Sequence, residues 1–124
     1  MRRSTLRFEA FVLAFAAFVA APACAQEGSH KVITTSLTST GAHKECISLA
    51  ESQSLRYWFR ADGLLNFSIQ VQSGKEVSYP VRHDKVSIGS GSFIPKAADV
   101  HCMVLTNIAG RPVTVRLEFA RLNR

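Results

Sequence analysis

Apolar and polar residues alternate with a period of two along much of this chain, and that pattern commits it to β-sheet. Leu55, Tyr57, Phe59 and Ala61 interleave with Arg56, Trp58 and Arg60, and Leu65, Phe67, Ile69 and Val71 then interleave with Asn66, Ser68 and Gln70. Successive strand side chains point to opposite faces, so each run reads as a strand with one buried face. Ala61-Asp62-Gly63 between the runs carries the Asp-Gly signal of a hairpin turn. Val77, Tyr79 and Val81 alternate again after Ser73-Gly74, and Pro80, which has no N–H for a ladder bond, confines that strand to an edge or bulge. Val100, Cys102, Val104 and Thr106 are expected to form the core face of a later strand. Val113, Val115, Leu117 and Phe119 are expected to do the same in the last, with 107–111 as a hairpin loop between the two. Weaker strand patterns run from Val32 to Leu37 and from Cys46 to Leu49. No segment sustains helical spacing, and Pro95 breaks whatever precedes the Ala97-Ala98-Asp99 stretch. The expectation is a single all-β domain, an antiparallel β-sandwich of about seven to eight short strands.

The first 25 residues read differently. Arg2, Arg3 and Arg7 precede an apolar run from Phe11 to Ala21, and Ala23-Cys24-Ala25 supplies a small-x-small cleavage pattern before Gln26. This is the layout of a secretory signal, and the run is too short for the roughly 20 residues of a spanning helix. An alternative start is lipidation of Cys24, but Ala21-Pro22 stand where a lipoprotein signal places a Leu-like residue. Residues 1–25 are therefore expected to be a signal peptide and 26–124 a single exported domain, periplasmic or secreted, with no stable membrane insertion.

Cleavage would leave 12 basic against 8 acidic residues, a mild formal +4 in place of the +6 of the whole chain. The arginines and lysines are scattered singly, and with export this argues against nucleic acid as a partner. Cleavage would also leave Cys46 and Cys102 as an even pair in a compartment where disulfides persist. A small domain gains from such a staple: closing a loop of about 56 residues is worth about 4 kcal/mol in the chain-entropy model. On the alternation, Cys102 points into the core, where it could meet Cys46 on an early strand.

The order of an early-strand cysteine, the run LRYWFRADGLLNFSIQVQSGKEVSYPV and a late cysteine strand VHCMVLTNIAGRPVTVRLEF resembles the Golgi-dynamics (GOLD) type of β-sandwich over Lys44 to Phe119. In particular it is similar to small bacterial envelope proteins of that layout. The resemblance implies a Cys46–Cys102 disulfide and a role in binding, with no catalytic residues to carry over. The coiled coil and membrane anchor of the trafficking proteins are not part of the matched pattern, so their transport role is not implied.

Candidate chemistry is sparse. His30, His43, His83 and His101 show no ligand spacing, and His101 and Cys102 point to opposite faces of one strand, so neither metal nor cofactor is expected. Gly89-Ser90-Gly91-Ser92 lacks the G-x-S-x-G elbow of a serine nucleophile and the Gly-Lys-Ser/Thr of a phosphate loop, and reads as a flexible loop. Trp58 alternates onto the face of Arg56 and Arg60, residue types enriched at binding hot spots. The functional expectation is an exported, non-catalytic interaction module of the cell envelope, with a protein or glycan partner, using the Arg56, Trp58 and Arg60 patch. The alternative is an inhibitor of a hydrolase, such as a lysozyme or protease, acting through a protruding loop at 83–96.

Overall fold

The structure, a computed structural model, describes residues 30–124, so the expected signal, its cleavage site and Cys24 lie outside the described residues. Six antiparallel strands form one curled sheet: β1 His30–Leu37, β2 Ala42–Leu49, β3 Gln53–Ser73, β4 Glu76–Phe93, β5 Asp99–Asn107 and β6 Val113–Asn123. Strand β3 organises them. Its first half pairs with β6 from Gln53 to Ala61, its second half pairs with β5 from Leu65 to Val71, and β4 follows it along the other edge. Strand β1 extends the sheet beyond β6, and β2 extends it beyond β5.

The result is a sandwich-like fold whose two arms share a long, bent β3–β4 hairpin. Leu55, Tyr57 and Phe59 of the first arm face Leu65, Phe67 and Ile69 of the second, and all six are buried. Phe67 stacks on Tyr57 at 4.8 Å and on Phe59 at 4.7 Å between ring centroids, which joins the inner faces. Val115, Leu117 and Phe119 from β6, Met103 and Leu105 from β5, and Ile47 and Leu49 from β2 complete the core. Lys31 of β1 and Glu45 of β2 close the open edges with a 3.0 Å ion pair.

Two expected hairpins are absent, and both corrections concern the bend. Residues 61–63 are not a turn, because β3 continues through them and the two apolar runs are halves of one strand. That is why six strands replace the expected seven to eight. At the bend β3 advances from Arg60 to Leu65 while β4 moves only from Ile88 to Val86, so the outside of the curve carries extra residues. Strand β6 supports this corner: Thr114 N–H donates to Asp62 Oδ1 at 2.9 Å, and a Cβ on Gly63 would meet Val113 Cγ2 at 2.6 Å. Nor is 107–111 a hairpin loop. Strands β5 and β6 pair with different halves of β3, and the connection passes from one arm to the other. Asn107, 3% exposed, holds this crossing. Its Nδ2 donates to the carbonyls of Thr38 at 2.8 Å and Arg111 at 2.7 Å, and its Oδ1 accepts from Ala109 N–H at 2.8 Å.

A third correction concerns the face of β5. Its buried side chains are His101, Met103, Leu105 and Asn107, whereas Val100 is 48% exposed. Cys102 therefore lies on the outer face and not in the core. Both faces of this strand are largely apolar, so alternation alone leaves the parity open, and the longer Met103 and Leu105 fill the interior where Val100 and Val104 would leave space. The disulfide expected between Cys46 and Cys102 is present, joining directly opposed residues of β2 and β5 with a Cα separation of 4.0 Å.

Candidate functional site

The outer face of the first arm places residues from four strands in a regular array. The register gives three rows across β1, β6, β3 and β4: Thr34, Arg116, Arg60 and Ile88; Val32, Glu118, Trp58 and Ser90; and His30, Ala120, Arg56 and Ser92. Side chains directly opposite on paired strands share a face, so all twelve point away from the core. Trp58 is half-buried at the centre, between Ser90 of β4 and Glu118 of β6, while Arg56, Arg60 and Arg116 are exposed. A shallow groove of about 590 Å³ runs past Trp58, bounded by His30, Arg56, Ser90, Ser92 and Leu122. The expected patch of Arg56, Trp58 and Arg60 thus occupies one continuous surface, to which the fold adds Arg116, Ile88 and Val32. Ile88 is 53% exposed and Val32 42%.

The engagement of the charged groups is uneven. Glu118 meets His30 at 3.1 Å. Asp62, at the far end of the face, accepts the Thr114 N–H. Elsewhere the arginines are occupied: Arg121 donates to the Ser48 carbonyl at 3.0 Å, Arg111 to the Asp62 carbonyl, Arg124 to the Glu51 carbonyl, and Arg82 lies over the Tyr79 ring at 5.6 Å. Among the described residues, the side chains of Arg56, Arg60 and Arg116 make no hydrogen bond or ion pair.

The four histidines are dispersed. His43 meets Glu45 at 3.1 Å, His83 shares a 2.8 Å hydrogen bond with the Tyr57 hydroxyl, and His101 Nδ1 donates to the Asp99 carbonyl at 3.0 Å while its ring packs on Phe93. Burial raises the Tyr57 hydroxyl above its ordinary value of 10.0. Among the described residues no three His, Cys, Asp or Glu side chains converge as metal ligands would.

The stretch 83–96 is not a protruding loop. Strand β4 continues to Phe93, and the Gly89-Ser90-Gly91-Ser92 segment lies inside it. The glycines are there for space: a Cβ on Gly89 would lie 2.4 Å from the Phe59 ring, and one on Gly91 2.5 Å from the Tyr57 hydroxyl. Small residues facing large rings across paired strands is a signal the sequence contains, since Gly-x-Gly can be matched to Tyr-x-Phe. At its other end β4 breaks register twice. Between Ile69 and Val71 the irregularity accommodates Pro80, on a strand paired along one edge only, as its missing N–H requires. Between Leu65 and Phe67, Lys85 takes a left-handed φ of 55° and its N–H donates to Asn66 Oδ1 at 2.9 Å. Beyond β4, residues 94–98 leave the sheet beside an apolar cavity of about 350 Å³ lined by Tyr79, Phe93, Ile94 and the buried His101.

No protein-family model and no curated protein matches the chain. Solved structures do. The periplasmic inhibitor of g-type lysozyme PliG from Aeromonas hydrophila aligns with a TM-score of 0.56 at 14% identity, over 76% of this chain and 87% of that one. The Yersinia pseudotuberculosis-derived mitogen aligns with the same TM-score at 10% identity, over 75% of this chain and 86% of that one. At these identities the likeness establishes the small β-rich fold.

Proposed function

We propose that this protein is an exported, non-catalytic interaction module of the cell envelope that binds a protein partner through the outer face of its first arm. The observation that carries the reading is the placement of Trp58 among Arg56, Arg60 and Arg116 on an open sheet face. Trp and Arg are the side chains that most often anchor protein interfaces, and Lys is depleted there. Thr34, Val32, Ile88, Ala120, the two serines and the His30–Glu118 pair fill the rest of the array, and no lysine stands in it. The disulfide and the likeness to a periplasmic protein fit a periplasmic or secreted location. The GOLD-type resemblance supports the same class of function, a module that works by contact.

The test is capture of envelope proteins by the wild type and by Trp58→Ala, with thermal melting of both. Loss of a captured partner at unchanged melting supports the face, and retention of every partner refutes it.

A second reading, inhibition of a hydrolase, is favoured by the fold shared with a periplasmic inhibitor of g-type lysozyme. With 83–93 in a strand, the element it would use shrinks to 94–98, where Ile94 is 53% exposed. Peptidoglycan hydrolysis by a g-type lysozyme should then fall stoichiometrically as the protein is added. Undiminished hydrolysis in excess protein removes this reading and leaves the first intact.

A further inference from the structure

Arg60 of β3 and Arg116 of β6 are register partners on the same outer face. Residues directly opposed on antiparallel strands lie about 5 Å apart at Cα, and like charges so placed repel. Neither guanidinium has an ion-pair partner: Asp62, which lines the same shallow groove, accepts the Thr114 N–H, and Glu118, two residues from Arg116, meets His30, so the three arginines of the face outnumber the carboxylates beside them. Arg56 adds a third unpaired guanidinium two residues beyond Trp58. Of the seven arginines among the described residues, the three without a partner are the three on this face, while Arg82, Arg111, Arg121 and Arg124 are all occupied.

We propose that the face is built to receive an acidic protein surface, whose carboxylates separate and neutralise Arg60, Arg116 and Arg56 around Trp58. The proposal rests on the interaction reading above and names the chemistry of its partner. Planar guanidinium groups bind carboxylates through two parallel hydrogen bonds, and an anion that bridges two opposed guanidinium groups also offsets their mutual repulsion. A protein fits better than an anionic glycan because the exposed Ile88 and Val32 border the arginines and supply apolar contact area that a chain of sugar hydroxyls does not match.

Trp58 is the single tryptophan of the chain, so its fluorescence reports events on this face alone. The experiment titrates the exported protein with poly-L-glutamate, and in parallel with heparin, while following Trp58 emission, and compares Arg60→Gln and Arg116→Gln with the wild type. Poly-L-glutamate is expected to give a saturable change, weakened about tenfold by either substitution and weakened again by added salt. Each variant is expected to melt about 1–5 °C higher than the wild type as the like-charge contact is removed. Variants that bind poly-L-glutamate as the wild type does, or that melt lower, overturn the proposal. Tighter binding of heparin at Trp58 overturns it in favour of a glycan. If poly-L-glutamate leaves the emission unchanged while Trp58→Ala still loses a captured protein, the acidic partner is wrong and the interaction face stands. If capture survives Trp58→Ala, both fall.

Discussion

Gly91 of β4 stands directly opposite Tyr57 of β3, and a Cβ on it would lie 2.5 Å from the phenol oxygen. Two residues along, Gly89 stands in the same relation to Phe59. The Gly-Ser-Gly-Ser segment is thus a strand cut to fit two rings of the core, with its serines turned to the outer face. Gly89→Ala is expected to cost about 1–3 kcal/mol, the usual range for overpacking. Gly91→Ala is expected to cost less, because the Tyr57 hydroxyl end is nearer the surface. Urea unfolding of the two variants checks the order, and two neutral outcomes would contradict the packing.

The outer-face position of the disulfide makes its contribution separable from the core. Replacing Cys46 and Cys102 together by Ala removes the cross-link and leaves no cavity, so the loss should follow from chain entropy: about 4 kcal/mol for the 56-residue separation, within the 2–5 kcal/mol typical of small secreted domains. Equilibrium unfolding of the double variant measures it, and a loss below 1 kcal/mol, roughly the scale of one ordinary hydrogen bond, would contradict the account.

Asn107 is the polar residue on which the crossing between arms depends. Asn107→Ala leaves the Ala109 N–H and the carbonyls of Thr38 and Arg111 without their partner and is expected to cost about 3 kcal/mol. Asn107→Asp, which keeps the shape and the acceptor but loses the Nδ2 donor, should also destabilise. A neutral Asp variant in thermal unfolding would show that the donor side of the network carries no weight.

Acid should loosen the clasp between β1 and β2. Burial tends to raise the Glu45 carboxyl, but the hydrogen bonds and charges of Lys31 and His43 together outweigh it and hold the group below its ordinary value of 4.5. A lowered folded value means that the carboxylate contributes stability above the unfolded value, and that this is lost as pH falls through the folded one. The melting temperatures of wild type and Glu45→Gln should therefore differ above pH 4.5 and converge as pH drops below it. A gap that widens toward acid would reverse the assignment.

Much of the strand content was legible, because alternation in 55–61, 65–71 and 113–119 reports the half-buried faces directly. The patch was legible for the same reason: the parity that buries Tyr57 and Phe59 turns Trp58 and its flanking arginines outward. Connectivity was not. Asp62-Gly63 carries a local turn signal that β6 overrides through Thr114 and Val113, the Asp62–Thr114 bond spanning 52 residues of sequence. Arg116 was hidden for that reason, since reading 107–111 as a hairpin sets β6 beside β5 and not beside the first half of β3. The face of β5 was open because Val100 and Val104 on one side and Met103 and Leu105 on the other are both apolar, and only packing volume decides between them.

The most direct test of the interaction face is site-specific photo-crosslinking in the native envelope. A photoreactive side chain at Ser90, beside Trp58 on the outer face of the first arm, is compared with one at Ser68, on the outer face of the second arm opposite Val104. The account predicts a discrete protein adduct from position 90 that is absent from position 68 and disappears when Arg60→Gln and Arg116→Gln are combined. An adduct formed from position 68 and not from position 90 would contradict it.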